Sequence, residues 1–374
     1  MESLSTTSTP SLDDLFDLMQ PDARVLADGR RRMADLWNNR PSDSLPIIFG
    51  APVPEGVAGC GDFRRHVEDP EQMLYDLVAG LVGLALSGSD GQLAIRVDTG
   101  PGTLATLAGC PLTTSEYSLP WTAHLSREVL EAFDPQTADL SALGLMPRIK
   151  ELYAAFRARL PETIHCYCVD TQGPFDLAHL LYGNELFYAV YDDPEFAHQL
   201  LEKSTALYIR ATAQVKEWID EPRNGGYHVL YALDNCGVRA CEDTSTLLSP
   251  GTIDEYVIPY QRQALEAFGG GYVHYCGDND ALYAAILRNP AVRGLNFGNP
   301  ERHDFSRVIP QLIEAGKCYL GILPREEDET LEAYFRRVIG YTGGTRKGLI
   351  FTPRLTAEEV TDPRRVIDLW RSLQ

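Results

Sequence analysis

Apolar residues recur along this chain in two kinds of run, and the two kinds alternate. Short runs with β-type patterning fall at residues 45–50, 93–98, 164–170, 228–234, 271–276, 292–297, 318–323 and 348–352. Between them lie longer stretches with apolar positions at helical spacing, at 71–86, 145–160, 177–191, 194–219, 252–268, 305–315, 331–339 and 358–373. A shorter helix running to Leu287 starts from a cap at Asp278 or Asn279, and another is expected at 127–133. Eight strands alternating with helices predict an α/β protein built as a single parallel (β/α)8 TIM barrel. Residues 12–37 carry a helical pattern broken near Pro21, so residues 1–44 read as an N-terminal helical extension and 45–374 as the barrel. Residues 1–11 are Ser/Thr-rich and expected to be frayed. No internal repeat or low-complexity linker interrupts the pattern.

A barrel of this type carries its site at the C-terminal ends of its strands, which singles out Asp98, Asp170, Asp234, Cys236, His274, Cys276, Asn296 and Thr352. His274 and Cys276 are two residues apart on the fifth strand, so their side chains share a face at a spacing of about 7 Å. An imidazole nitrogen and a thiolate are ligands zinc prefers, and a catalytic zinc needs only three protein ligands. The bland alternative is that both are interior residues. Cys236, just after the fourth strand as read here, is the expected third ligand. Cys168, Cys241 and Glu242 are the other choices, while Cys318 opens its strand and reads as core. Asp98 and Asp234 are the expected proton-handling groups, because carboxylates gathered in a partly desolvated mouth raise one another's pKa. Asp170, Asn296 and Tyr231 are expected to contact substrate. Each aspartate also has an ordinary reading as a helix cap or turn former.

Charge narrows the field of partners. The sequence has 33 basic and 53 acidic residues, a formal charge of -20, which opposes binding to nucleic acid or to an anionic membrane surface. No stretch reaches the ~18 apolar residues of a membrane span, and the N-terminus lacks a signal-peptide pattern, so a cytoplasmic location is expected. Eight cysteines scattered through 374 residues lack the density of a disulfide scaffold, so reduced thiols are expected. No P-loop or dinucleotide fingerprint is present, and Gly298-Asn299-Pro300 reads only as a turn.

Several ordered stretches resemble the uroporphyrinogen decarboxylase superfamily: Gly173-Pro174-Phe175, Asp192-Asp193-Pro194-Glu195, Leu248-Ser249-Pro250 before a helix reaching Pro259-Tyr260, and His274-Tyr275-Cys276-Gly277. The likeness spans roughly residues 30–373 and is nearest to the cobalamin-dependent methyltransferases, whose zinc-bearing branch carries His-x-Cys-Gly on the fifth strand. The resemblance implies a methyltransferase that moves a methyl group between a corrinoid, such as methylcobalamin on a separate carrier protein, and a small thiol activated by zinc. Two departures stand out. That branch takes a third cysteine ligand after the eighth strand, where this chain reads Ile350-Phe351-Thr352-Pro353-Arg354. The arginine-rich segment with which decarboxylases grip a tetrapyrrole is absent from residues 47–61. The alternatives are a metal-independent decarboxylase of a tetrapyrrole or aromatic acid, with Asp98 on the ring nitrogens, and a non-catalytic corrinoid- or ligand-binding barrel. A homodimer is compatible with each of them.

Overall fold

Parallel strands separated by helices dominate the chain, as the alternation of apolar runs requires. A computed structural model describes residues 9–374; the Ser/Thr-rich stretch expected to fray lies largely outside the described residues. Five strands form one parallel sheet: Val238–Cys241, Gly271–Tyr275, Val292–Phe297, Cys318–Ile322 and Leu349–Thr352, hydrogen-bonded in that order. Ala94–Ile95 and His165–Cys166 form a separate parallel pair.

Single bridges continue the sheet at both edges. Gln172 pairs with Cys241 and Ile47 with Phe351, each in parallel sense. Ile48 N–H donates to Phe351 O at 2.8 Å, and Asp90 N–H, just ahead of the Ala94–Ile95 strand, donates to Ile47 O at 2.9 Å. All eight expected segments except 228–234 therefore occupy parallel positions, although the first three are much shorter as ladders than their apolar runs suggested.

Residues 228–234 are the exception. Gly225–His228 and Tyr231–Asp234 form an antiparallel hairpin, and the fourth parallel position is taken by Val238–Cys241. The reversal occurs at Val229, whose φ of 53° is unusual for a β-branched residue and carries none of the Gly or Asn signal of a tight turn. The hairpin packs against the helix Ala23–Trp37 beneath the strands' N-terminal ends: Trp37 Nε1–H donates to Ala232 O at 2.7 Å, and Asn38 Nδ2–H donates to Asp234 Oδ2 at 2.7 Å.

The same helix is tied down by a buried ion pair. Asp90 accepts from Arg32 Nη1 at 2.5 Å and from Ile47 N–H at 3.0 Å. The carboxylate thus joins the N-terminal helix to the first extended segment. Asp90→Ala should lower unfolding free energy by about 2–3 kcal/mol, because a charged hydrogen bond is lost while Arg32 keeps Asp43 as a partner. Urea denaturation read by circular dichroism gives the value. No described helix is long and apolar enough to cross a membrane.

Candidate metal and substrate site

Parallel register brings four chemically active side chains to one place. In the Val238–Cys241 strand, Arg239 and Cys241 share a face; in Gly271–Tyr275, Tyr272 and His274 do. Cys241 is the register partner of His274, and His274 that of Asn296. Two residues past each strand position stand Asp243 and Cys276. The ligand atoms of Cys241, Asp243 and His274 all lie within 4.8 Å of one another, and Cys276 Sγ is 3.7 Å from His274 Nε2.

The hydrogen bonds fix how the imidazole presents itself. Asn296 Nδ2–H donates to Leu320 O at 2.6 Å, so Asn296 Oδ1 faces His274 as an acceptor. His274 Nδ1 must then carry the proton it donates to Asn296 Oδ1 at 2.5 Å. Nε2 is left with its lone pair, turned toward Cys276 and 3.9 Å from Asp243 Oδ1. This is the arrangement by which an outer amide orients a metal-binding histidine. Burial, and then the Arg239 guanidinium, lower the His274 pKa and favour the neutral, ligating form.

The two thiols are poised differently. Burial raises the Cys241 pKa well above its ordinary value, and burial together with Asp243 pushes Cys276 up to about 11. Both are therefore protonated until a cation replaces the proton. Cys276 is exposed and Cys241 buried. A nitrogen, two sulfurs and a carboxylate oxygen form a donor set that suits zinc in kind and number.

Two further groups of ionisable residues adjoin these ligands. Asp243 N–H and Thr244 N–H donate to the Asp176 carboxylate at 2.8 and 2.9 Å, and Ser245 Oγ–H donates to Glu242 at 2.9 Å. Burial raises both acids, Glu242 to about 7. In a second, only part-buried group, Asp170 bridges Arg239 at 2.7 Å and Arg96 at 3.3 Å, while Arg96 also reaches Asp98 at 3.2 Å.

No family model matches this sequence, and a search of curated proteins finds no match either. Among solved structures, a methyltransferase from Methanosarcina mazei is similar over 91% of this chain and 98% of its own, with a TM-score of 0.66 and 16% sequence identity. What the two share is the fold.

Of the residues singled out in the sequence, His274, Cys276 and Asn296 meet at this site, with Asp170 and Asp98 in the arginine-linked group beside it. Three others lie elsewhere. Cys236 is fully buried and precedes its strand; the following residue, Gly237, donates to Gly270 O, four residues short of His274, or about 13 Å along the strand. Asp234 is held by Asn38 at the opposite end, and Tyr231, whose backbone pairs with His228 in the hairpin, sends its buried hydroxyl up the interior to Thr352, the last residue of the Leu349–Thr352 strand. Their displacement has one cause, the reading of 228–234 as a barrel strand. Cys318 is buried at the start of its strand, bonded to Arg293 O, away from His274. Cys241 is only a secondary choice for third ligand in the sequence, and Asp243, Arg96 and Arg239 are not singled out there. The repeated spacing Cys241-x-Asp243 and His274-x-Cys276 is the signal that points to Cys241 and Asp243.

Proposed function

We propose that the eight parallel positions close into one (β/α)8 barrel and that the protein is a methyltransferase acting between a corrinoid and a small thiol. The observation that supports this reading is the convergence of Cys241, Asp243, His274 and Cys276 at the C-terminal ends of adjacent strands. Cys241 takes the place that the sequence reading gave to Cys236, and it substitutes for the cysteine expected after the eighth strand. His274, Cys241 and Cys276 would hold zinc, with Asp243 as the nearest oxygen donor. Bound zinc lowers the pKa of a substrate thiol so that its thiolate is available at neutral pH.

The chain's own groups set up that chemistry. Asn296 holds the His274 lone pair in the ligating direction, and the Arg239 charge disfavours imidazolium. Asp243 accepts the Cys276 N–H at 2.6 Å and so couples the two strand ends. Cys276, the exposed member, marks the side from which substrate enters. Arg96, Asp98 and Asp170 line the adjoining interior and present both signs of charge to the remainder of the substrate. The corrinoid would be delivered by a separate carrier protein, and a cytoplasmic location fits that arrangement.

Incubating the zinc-supplied protein with methylcobalamin and a small thiol tests the reading. Loss of the methyl–cobalt absorbance together with thioether formation is expected, and Cys276→Ser should abolish both. Absence of thioether with any thiol in a panel, at saturating zinc, would overturn it; release of carbon dioxide from an aromatic or pyrrole acid would favour the decarboxylase instead.

A further inference from the structure

The turn that follows strand Val292–Phe297 is given over to Cys276. Gly298 N–H extends the ladder by donating to Tyr275 O at 2.9 Å. Gly298 lies directly against the Cys276 thiol, so that a Cβ there would occupy the space of Sγ. Asn299 Oδ1 accepts the Gly277 N–H at 2.8 Å, its orientation set by Nδ2–H donating to Glu301 at 3.2 Å. His303 takes the next peptide, on the other side of the Gly277 Cα: its Nε2 lies 3.2 Å from Gly277 O. A carbonyl only accepts, so Nε2–H is the donor. The His303 ring is held in turn by stacking on Phe297, with centroids 3.6 Å apart and planes at 10°.

Gly277 has φ of 90°, so the chain leaves Cys276 through a left-handed turn that glycine adopts freely and that its own side chain cannot stabilise. Cys276 is exposed, and nothing in its own strand fixes the residue beyond Tyr275. Its fixation comes from outside: Asp243 on the Cys276 N–H, Asn299 on the Gly277 N–H, His303 on the Gly277 carbonyl, and Gly298 by leaving room for the sulfur. Gly298 and Asn299 belong to the stretch that reads in the sequence as only a turn, and His303 follows three residues after it.

We propose that residues 298–303 are the positioning element of the metal site, and that His303 is a positioning residue which sets the Cys276 thiol in ligating geometry through the Gly277 carbonyl. The inference rests on the metal-binding reading above. A ligand held in place before the ion arrives loses less freedom on binding it, and outer partners of this kind are commonly worth about 10–100-fold in metal affinity.

Cobalt(II) used as the metal provides the test, because its thiolate charge-transfer band reports sulfur coordination directly. His303→Ala should bind cobalt about 10–100-fold more weakly with an unchanged thermal melt, and His303→Gln, which keeps a donor, should recover most of that loss. Gly298→Ala should reduce the band toward that of Cys276→Ser. A wild-type band combined with an unaltered affinity in His303→Ala would overturn the positioning role alone, as would a glutamine variant no better than alanine. A wild-type protein with no charge-transfer band would overturn the metal reading and this inference together.

Discussion

Asp170→Asn should destabilise the protein by about 3 kcal/mol, since it leaves the part-buried Arg96 and Arg239 guanidiniums facing each other with only Asp98 on the Arg96 side. Burial alone would raise the Asp170 pKa, but the two arginines outweigh it and hold the carboxyl at about 2. The sign of the pH effect follows. A carboxylate whose folded pKa lies below its unfolded value near 3.8 contributes stability that is fully present above that value and is lost as pH falls toward about 2. The wild type should therefore lose stability through that window faster than Asp170→Asn does. Urea unfolding at neutral pH and at several acidic pH values measures both effects, and equal slopes in the two proteins would refute the assignment.

The second large effect separates Cys241 from Cys236, the cysteine that the sequence favours as third ligand. Cys241→Ser should weaken zinc by more than the roughly 10–100-fold associated with losing an outer partner, because a thiolate ligand becomes a hydroxyl that is rarely ionised. Cys236→Ser should leave zinc affinity at the wild-type value, since that thiol is buried below the strand, five residues before Cys241, the register partner of His274. Competition against a chromophoric chelator gives both affinities. The reverse order, with Cys236 mattering and Cys241 not, would remove the register argument on which the ligand set stands.

The contrast between these cysteines shows where sequence reasoning carried and where it stopped. Strands 271–276, 292–297, 318–323 and 348–352 were legible because each is a buried apolar run bounded by glycine or polar residues, and parallel strands covered on both faces look like that. The run 228–234 has the same composition but folds back on 225–228 through a positive-φ valine, a reversal that no residue type announces. Moving the fourth strand forward to 238–241 carried Asp234 and Cys236 to the far end and brought Cys241 and Asp243 to the rim. His274 and Cys276 were found because two residues on one strand share a face whatever the neighbours do. The arginines were missed for a different reason. Arg96 and Arg239 sit inside, where a charged residue is expected only if paired, and the pairing with Asp170 joins residues 74 and 69 positions away. Gly298-Asn299-Pro300 reads as a turn, and His303 carries no signal, because the role of both lies in contacts to the backbone of another loop.

Whether the site holds a metal at all is the claim on which the rest depends, and elemental analysis of protein purified without chelator measures it most directly. The account predicts zinc in equimolar amount with the chain, retained through dialysis and lost on Cys241→Ser or Cys276→Ser while the circular dichroism spectrum is unchanged. Wild-type protein that stays free of zinc after zinc has been supplied and the excess dialysed away would contradict it.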